Sequence, residues 1–257
     1  MAIDRSRPAA PAARRGWGIV RPGLFFLLLV LTPGLVPGVL FAQNASALGY
    51  SGLMLVPTAE IAQDGELTGG ISRIPELYAT DWWPNRRTVF WGRIGLLPFI
   101  EAGGMFVRPD HYGWGFGDRS VFVKLRLLRE RGRRPALTIG SQDFFAIKGL
   151  TWETSTAQHF GSLYLVASRH AAIRGVPLHV HLGYGPDWLV AKTKMLVGLF
   201  GGVTCTPHRM VTLLAEYDSE CCNAGVRLNP FPFLQAQVAW WKLREVTATL
   251  ALSVSLQ

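Results

Sequence analysis

Leu234 to Leu256 reads LQAQVAWWKLREVTATLALSVSL, and its two-residue period decides the fold class. Leu234, Ala236, Val238 and Trp240 fall on one face of an extended chain and Gln235 and Gln237 on the other. After the turn at Lys242–Arg244 the pattern resumes, with Val246, Ala248, Leu250, Leu252, Val254 and Leu256 set against Thr247, Thr249, Ser253 and Ser255. Two such runs joined by a short polar break predict an antiparallel hairpin with one apolar and one polar face.

Upstream, the same pattern recurs in segments separated by Gly, Pro, Asn, Asp or charged clusters. The candidate strands are 66–74, 87–96, 99–107, 119–128, 135–144, 161–170, 176–185, 195–204, 210–218, 222–229, 233–241 and 245–256, twelve in all. Helical periodicity is not found. Leu178, Val180, Leu182 and Tyr184 oppose His179 and His181, while Ala224, Val226 and Leu228 oppose Asn223, Arg227 and Asn229. A soluble sandwich would bury the apolar face, whereas an outer-membrane barrel turns it to lipid and fills its lumen with the polar set.

Three features favour an antiparallel transmembrane β-barrel of about twelve strands. The apolar faces are long enough to cross a bilayer. Aromatics sit near strand ends, as Trp82-Trp83, Phe231, Phe233 and Trp240-Trp241. The chain also opens with an export leader: an arginine-bearing start, the run Leu24–Leu31, then Pro33, Gly34, Pro37 and Gly38. Cleavage after Ala42 or after Ala47 would leave small residues at the site, and no cysteine follows either to carry a lipid anchor. The competing reading is an uncleaved anchor from Leu24 to Ala42. The domain plan is therefore a signal peptide over 1–42, an N-terminal plug or anchor segment over 43–65, and a barrel over 66–257.

Composition agrees. Of 257 residues 17% are charged, well under the quarter usual for soluble domains, and Gly 28, Trp 9 and Phe 14 are high. The formal charge of +9 overstates the mature chain, because Arg5, Arg7, Arg14, Arg15, Arg21 and Asp4 lie before residue 43. Without them 21 basic and 16 acidic residues leave a net of +5, spread along the chain. This speaks against nucleic-acid binding. Outer-membrane lipid is the partner the pattern itself implies. Cys205, Cys221 and Cys222 are odd in number, which suits small apolar residues or one incidental bridge from Cys205 to either neighbour.

Glu101, Lys124, Arg126, His179, His181, Glu216, Asp218, Arg227, Gln235 and Gln237 are the polar residues expected to face the lumen. His179 and His181 share a face at a spacing that suits a metal, but no third ligand is legible, so no metal or cofactor is expected. Glu216 and Asp218 share a face and resemble an acid/base pair, although a lumen ion-pair network with Arg227 is the simpler expectation. Neither Ser168-Arg169-His170 nor Ser162 near His159 supplies a serine triad, and the Gly-Gly pairs at 69, 103 and 201 are not phosphate loops. In strands, such glycines let a bulky neighbour sit against the wall. Residues 75–86, 108–118 and 145–160 are the expected outer loops, rich in Trp, Tyr, His and Gly.

The stretch GYSGLMLVPTAEIAQDGELTGGIS, Gly49 to Ser72, joins leader and barrel. Glu66 onward opens the first strand after the Asp64-Gly65 turn. Before it, Leu53, Met54, Leu55 and Val56 are apolar anchors by which this segment would tuck into the barrel mouth and gate it.

Gly52-Leu53 and Val56-Pro57-Thr58-Ala59 before Asp64-Gly65 resemble the opening of the YjbH family of outer-membrane proteins linked to exopolysaccharide biosynthesis. Arg119–Leu128 with Arg134–Gly140 and Asp143-Phe144, Tyr164–Arg169, and Leu214–Asp218 with Asn223–Arg227 and Asn229–Gln235 resemble it in the same order. The resemblance implies a non-enzymatic outer-membrane barrel of a Gram-negative bacterium that acts in production, export or surface retention of an extracellular polysaccharide. Polysaccharide and other proteins of that system are the implied partners. Two departures stand out: Phe145-Ala146-Ile147-Lys148 replaces the glycine-containing turn after the Asp-Phe pair, and the chain ends Ser255-Leu256-Gln257 without the terminal aromatic common in such barrels. Many family members are also longer, so this chain looks like a compact single-barrel form. The alternatives from other classes are an outer-membrane enzyme acting on lipid or glycan, and a soluble periplasmic β-sandwich binding protein.

Overall fold

The computed structural model describes residues 44–75, 86–110, 118–143, 160–189 and 193–256. The leader over 1–42, Trp82-Trp83 and most of the three expected outer loops lie outside the described residues. Twelve strands follow one another: β1 (Glu66–Ile74), β2 (Arg87–Leu96), β3 (Ile100–Pro109), β4 (Asp118–Leu128), β5 (Ala136–Gln142), β6 (Ser162–Ile173), β7 (Val176–Gly185), β8 (Gly198–His208), β9 (Val211–Tyr217), β10 (Cys222–Phe231), β11 (Leu234–Trp241) and β12 (Glu245–Ser255). Each pairs antiparallel with its sequence neighbours, and β1 pairs with β12 to close the barrel. Closure removes both sheet edges and rules out the sandwich.

Most strand limits agree with the sequence reading to within two residues. β8 is the instructive exception, starting at Gly198 instead of 195. Met195 donates its amide to Gly161 O at 2.9 Å and Leu196 has φ 60°, so the chain turns inward there, burying both side chains, before the ladder begins.

The connections differ at the two ends. Residues 75–86, 110–117, 143–161 and 186–197 join strands at one end, along with the tight turns 218–221 and 242–244. At the other end the links are 97–99, 129–135, 174–175, 209–210 and 232–233. The two-residue Arg174-Gly175 link places both residues at positive φ, the twist that such a hairpin requires, and Lys242 and Leu243 are also at positive φ within the three-residue link 242–244. Register shifts in β4–β5, β8–β9 and β10–β11 all lie toward the short-link end.

The period-2 pattern sorts side chains as the ladder demands. Outward positions carry Leu67, Phe106, Leu125, Leu165, Leu182, Leu199, Leu213, Val238 and Leu250, all exposed. Among the described strands, outward charges occur only toward the rims, as Arg73, Arg108, Arg119 and Arg169. Phe231 and Phe233 stack at the short-link rim, with centroids 5.5 Å apart. Trp240 is exposed, but its neighbour Trp241 is fully buried, correcting the expectation that both belong to an aromatic girdle. Consecutive strand residues face opposite ways, so one of the pair must point inward.

Four inward aromatics each lie over a glycine on the adjoining strand: Trp91 over Gly70, Phe122 over Gly103, Tyr164 over Gly140 and Phe200 over Gly183. A Cβ at any of these glycines would come within 2.4 Å of the ring. The rings therefore lie along the wall, and the middle of the lumen is left for other chain.

Val226, outward and in register with Val238, should not tolerate arginine. A charge at mid-depth in lipid costs about 2–4 kcal/mol, so Val226→Arg is expected to lower the folded fraction in heat-modifiable electrophoresis of membrane-inserted protein, while Val226→Leu leaves it unchanged.

Candidate functional site

Residues 44–65 fill the barrel. They enter at the short-link end, climb to Met54–Val56 and return to Asp64-Gly65 beside the start of β1. Ala45, Ala47, Leu48, Tyr50, Leu53, Met54, Leu55, Val56 and Ala59 are each no more than 1% exposed. The segment has no regular secondary structure, so it cannot satisfy its own backbone, and a lumen without water would leave amides orphaned. Part of the demand is met internally, by Ala47 N to Met54 O at 2.8 Å, Leu53 N to Val56 O at 2.8 Å and Gly52 N to Asn44 O at 2.7 Å. The segment's own Ser46 and Tyr50 hydroxyls serve Leu48 N and Leu55 O, and the wall supplies further partners.

Glu216, on the inner face of β9, is the main acceptor. Its Oε2 takes the amides of Met54 at 2.9 Å and Val56 at 3.1 Å, its Oε1 takes that of Leu55 at 2.9 Å, and Asn223 Nδ2 adds a fourth donor at 3.1 Å. Three successive amides on one carboxylate make an anion-binding turn in which the anion is the protein's own. Arg227, fully buried on β10, serves the carbonyls of the same turn, donating from Nη2 to Gly52 O at 2.7 Å and Leu53 O at 3.0 Å, with Nε on Gln237 Oε1 at 2.9 Å. No ion pair joins Glu216 to Arg227 among the described residues, which corrects the expected network. The register pairs Arg227 with Thr212 and Glu216 with Asn223, so the two charges lie at different depths.

Glu101 and Lys124 face each other across β3 and β4 and bind both limbs of the segment. Glu101 accepts from Ser51 N at 2.8 Å, Ala62 N at 2.7 Å and the Ser51 hydroxyl. Lys124 Nζ lies 3.8 Å from Glu101 and donates to Ser51 O at 2.7 Å and Glu60 O at 2.6 Å. Gln235 mimics a strand partner for Ala45, accepting its amide at 2.9 Å and donating to its carbonyl at 2.8 Å. Ala59 is held by Ser168 and Thr138, each at 2.7 Å, and Ser168 also bonds His181 Nδ1 at 2.8 Å.

The remaining sequence candidates have other duties. Asp218 caps the β9–β10 turn, accepting from the amides of Glu220 at 3.1 Å and Cys221 at 2.9 Å and from Asn223 at 2.9 Å. Burial, together with the charge of Asp218, pushes the Cys221 thiol up to about 12, so it stays protonated and donates to that carboxylate. All three cysteines are free, and the β8–β9–β10 register puts Cys205 four residue steps from the level of Cys222, beyond reach of a bridge. Arg126 lies on the inner parity of β4 but at the rim, where it donates to Pro98 O. His179 sits near the same end, ring to ring with His170 at 3.8 Å.

Several residues of this network were not singled out from sequence. Arg93 pairs with Glu66 at 3.2 Å in full burial and donates to Ser51 Oγ at 2.9 Å. Its inward facing follows from alternation with Trp91. Glu60 lacked any such signal, because it lies in irregular chain and its neighbours come from β6 and β7, whereas His170 follows the inward alternation of Tyr164, Val166 and Ser168 in β6.

A closed twelve-stranded antiparallel barrel whose lumen is occupied by its own N-terminal segment is the class of protein that these residues define. The YjbH family model, described as "Exopolysaccharide biosynthesis protein YbjH", matches residues 44–195, taking in the luminal segment and β1 to β7. The chain belongs to this family, and a role in exopolysaccharide production fits both the family and the barrel. A search of curated proteins gives no match.

Glu216→Gln replaces one acceptor oxygen by a donor facing amide donors. An orphaned buried amide costs about 1–3 kcal/mol. Hydrogen exchange at Met54, Leu55 and Val56 should therefore quicken by about 10²-fold while strand amides of β1–β12 keep their protection. Uniform loss of protection would mean that the segment and wall do not separate energetically.

Proposed function

We propose that this chain is a non-enzymatic outer-membrane barrel that serves export or surface retention of an extracellular polysaccharide, with residues 44–65 as a plug that closes the lumen. The observation that carries the reading is the set of bonds from Glu216, Arg227, Glu101 and Lys124 to the backbone of that segment. A wall that spends its buried charges on holding a segment in place is suited to gating. The same bonds weigh against the enzyme reading, because both oxygens of Glu216 are saturated by amide donors and Asp218 is committed to a turn. The charge-free outer belt and the long and short connections at opposite ends support insertion in an outer membrane, with short links toward the periplasm.

The contacts of Ala45 favour leader cleavage after Ala42, since cleavage after Ala47 would remove a residue that Gln235 holds on both sides. N-terminal sequencing of the mature protein should start at Gln43.

Loss of the gene should abolish or strongly reduce polymer at the cell surface, and the wild-type gene should restore it. In planar bilayers the wild-type barrel should conduct poorly and a variant lacking residues 49–63 should show large, stable channels. A wild-type chain that conducts as freely as the deletion variant would sink the plug, and unchanged surface polymer in the null strain would sink the polysaccharide role.

A further inference from the structure

We propose that Glu60, His170 and His179 form a site for one divalent transition-metal ion of the zinc class, which pins the returning limb of the luminal segment to the β6–β7 hairpin. Three side chains from different parts of the chain meet there. The tight Arg174-Gly175 turn sets β6 and β7 in a register that pairs His170 with His179, on the inner parity and near the short-link rim. Glu60 arrives from the segment, with its carbonyl fixed by Lys124 Nζ.

The donor spacing suits a tetrahedral ion. Glu60 Oε1 lies 3.3 Å from His170 Nε2 and 3.5 Å from His179 Nδ1, and the three donor atoms all fall within 4.8 Å of one another. Metal–ligand bonds of about 2.0–2.2 Å at a tetrahedral angle give ligand–ligand edges of about 3.3–3.5 Å. The carboxylate is also asymmetric. Oε2 accepts from Asn44 Nδ2 at 3.1 Å, whereas the buried Oε1 accepts no hydrogen bond of good geometry, although two ring nitrogens face it.

A second carboxylate orients the first histidine. Glu130, in the β4–β5 link, lies 2.5 Å from His170 Nδ1 and accepts the His170 amide at 3.1 Å. A proton held on Nδ1 leaves the Nε2 lone pair directed at Glu60, the carboxylate–histidine–metal arrangement that commonly supports bound zinc. An imidazolium between Glu60 and Glu130 would account for His170 alone. It leaves His179 Nδ1 directed at the same oxygen from 3.5 Å, longer than a good hydrogen bond, and protonating both rings would place two cations with centroids 3.8 Å apart. One divalent ion answers both rings and the carboxylate together. The cluster borders a cleft of about 480 Å³ lined also by Ser168, Arg126 and Arg129, so water can complete the coordination.

The test uses the full mature chain, folded in detergent micelles and stripped with EDTA. Titration with Zn²⁺ by calorimetry should give one ion per chain, and Co²⁺ should give the intense visible bands of four-coordinate cobalt. Glu60→Gln and His179→Gln should abolish both signals while heat-modifiable mobility is retained, and Glu130→Gln should weaken Zn²⁺ binding by about 10–100-fold. Zn²⁺ should also slow hydrogen exchange at residues 59–63 in the wild type only. Should Glu60→Gln fail to fold, His170→Gln and His179→Gln at the rim carry the test. Absence of stoichiometric Zn²⁺ and Co²⁺ binding by the folded wild type overturns the proposal, as does binding that survives both histidine substitutions.

Discussion

The structure depends on one constraint: irregular backbone placed inside a closed barrel must find a partner for each amide and carbonyl, and strands have none to spare. Their own backbone groups are consumed by the ladders that close the sheet. Only inward side chains remain, and the wall supplies acceptors and donors according to what the segment presents. Glu216 meets a run of amides, Arg227 meets the carbonyls just before it, and Gln235, which has both kinds of group, meets both sides of Ala45. The chemistry of each wall residue follows from the local direction of the segment's peptide planes.

Burying carboxylates and cations carries a large desolvation cost, and isolated charges in a dry lumen would not persist. Here each is surrounded by several fixed dipoles. Glu101 receives three donors besides the Lys124 ammonium, and Lys124 has two carbonyls besides the Glu101 carboxylate. Such groups are strongly coupled to the segment's presence. Without it, Glu216 and Arg227 would face either water or each other's absence across several residue steps, so the interior as built belongs to the filled state. Barrel closure and segment docking are therefore expected to reinforce one another, with the apolar side chains of Leu53 to Val56 packed in the same buried cluster as Tyr164 and Phe200.

The barrel was legible in the sequence because a period of two is a local signal that twelve strands repeat. β1, β2 and β7 were bounded as they stand, since each is framed by turn residues. The inward facing of Glu101, Lys124, Glu216, Arg227, Gln235 and Gln237 came from the same alternation. What these side chains hold was not legible, because the ion-pair expectation looked only from strand to strand and the true partner is backbone, which carries no residue label. Trp241 shows the limit in small: the pair Trp240-Trp241 looks like one aromatic feature in sequence, while the pleat sends its members to opposite faces. The glycine pairs imply room for bulky neighbours, and Gly70 and Gly103 give that room to Trp91 and Phe122, whereas Gly202 gives it to Leu53 of the segment.

That last contact bears on how the lumen could open. A Cβ at Gly202 would meet Leu53 Cδ2 at 2.6 Å, and one at Gly95 would meet Gln63 O at 1.8 Å, so both limbs touch bare wall. The two limbs are nevertheless held differently. The turn at Gly52–Val56 relies on Glu216 and Arg227, well inside the barrel, whereas Glu60 to Gln63 are held near the short-link end by Lys124, Glu101 and Glu66. Releasing the whole segment would break every one of these bonds at once. Under the proposed gating, releasing the limb Glu60–Gln63 first would admit water from that end and lower the cost of freeing the next bond, so stepwise withdrawal toward the short-link rim would have the smaller barrier. Because the segment continues directly into β1 through Asp64-Gly65, such withdrawal would move chain without unpairing any strand, leaving the closed sheet intact while the passage opens.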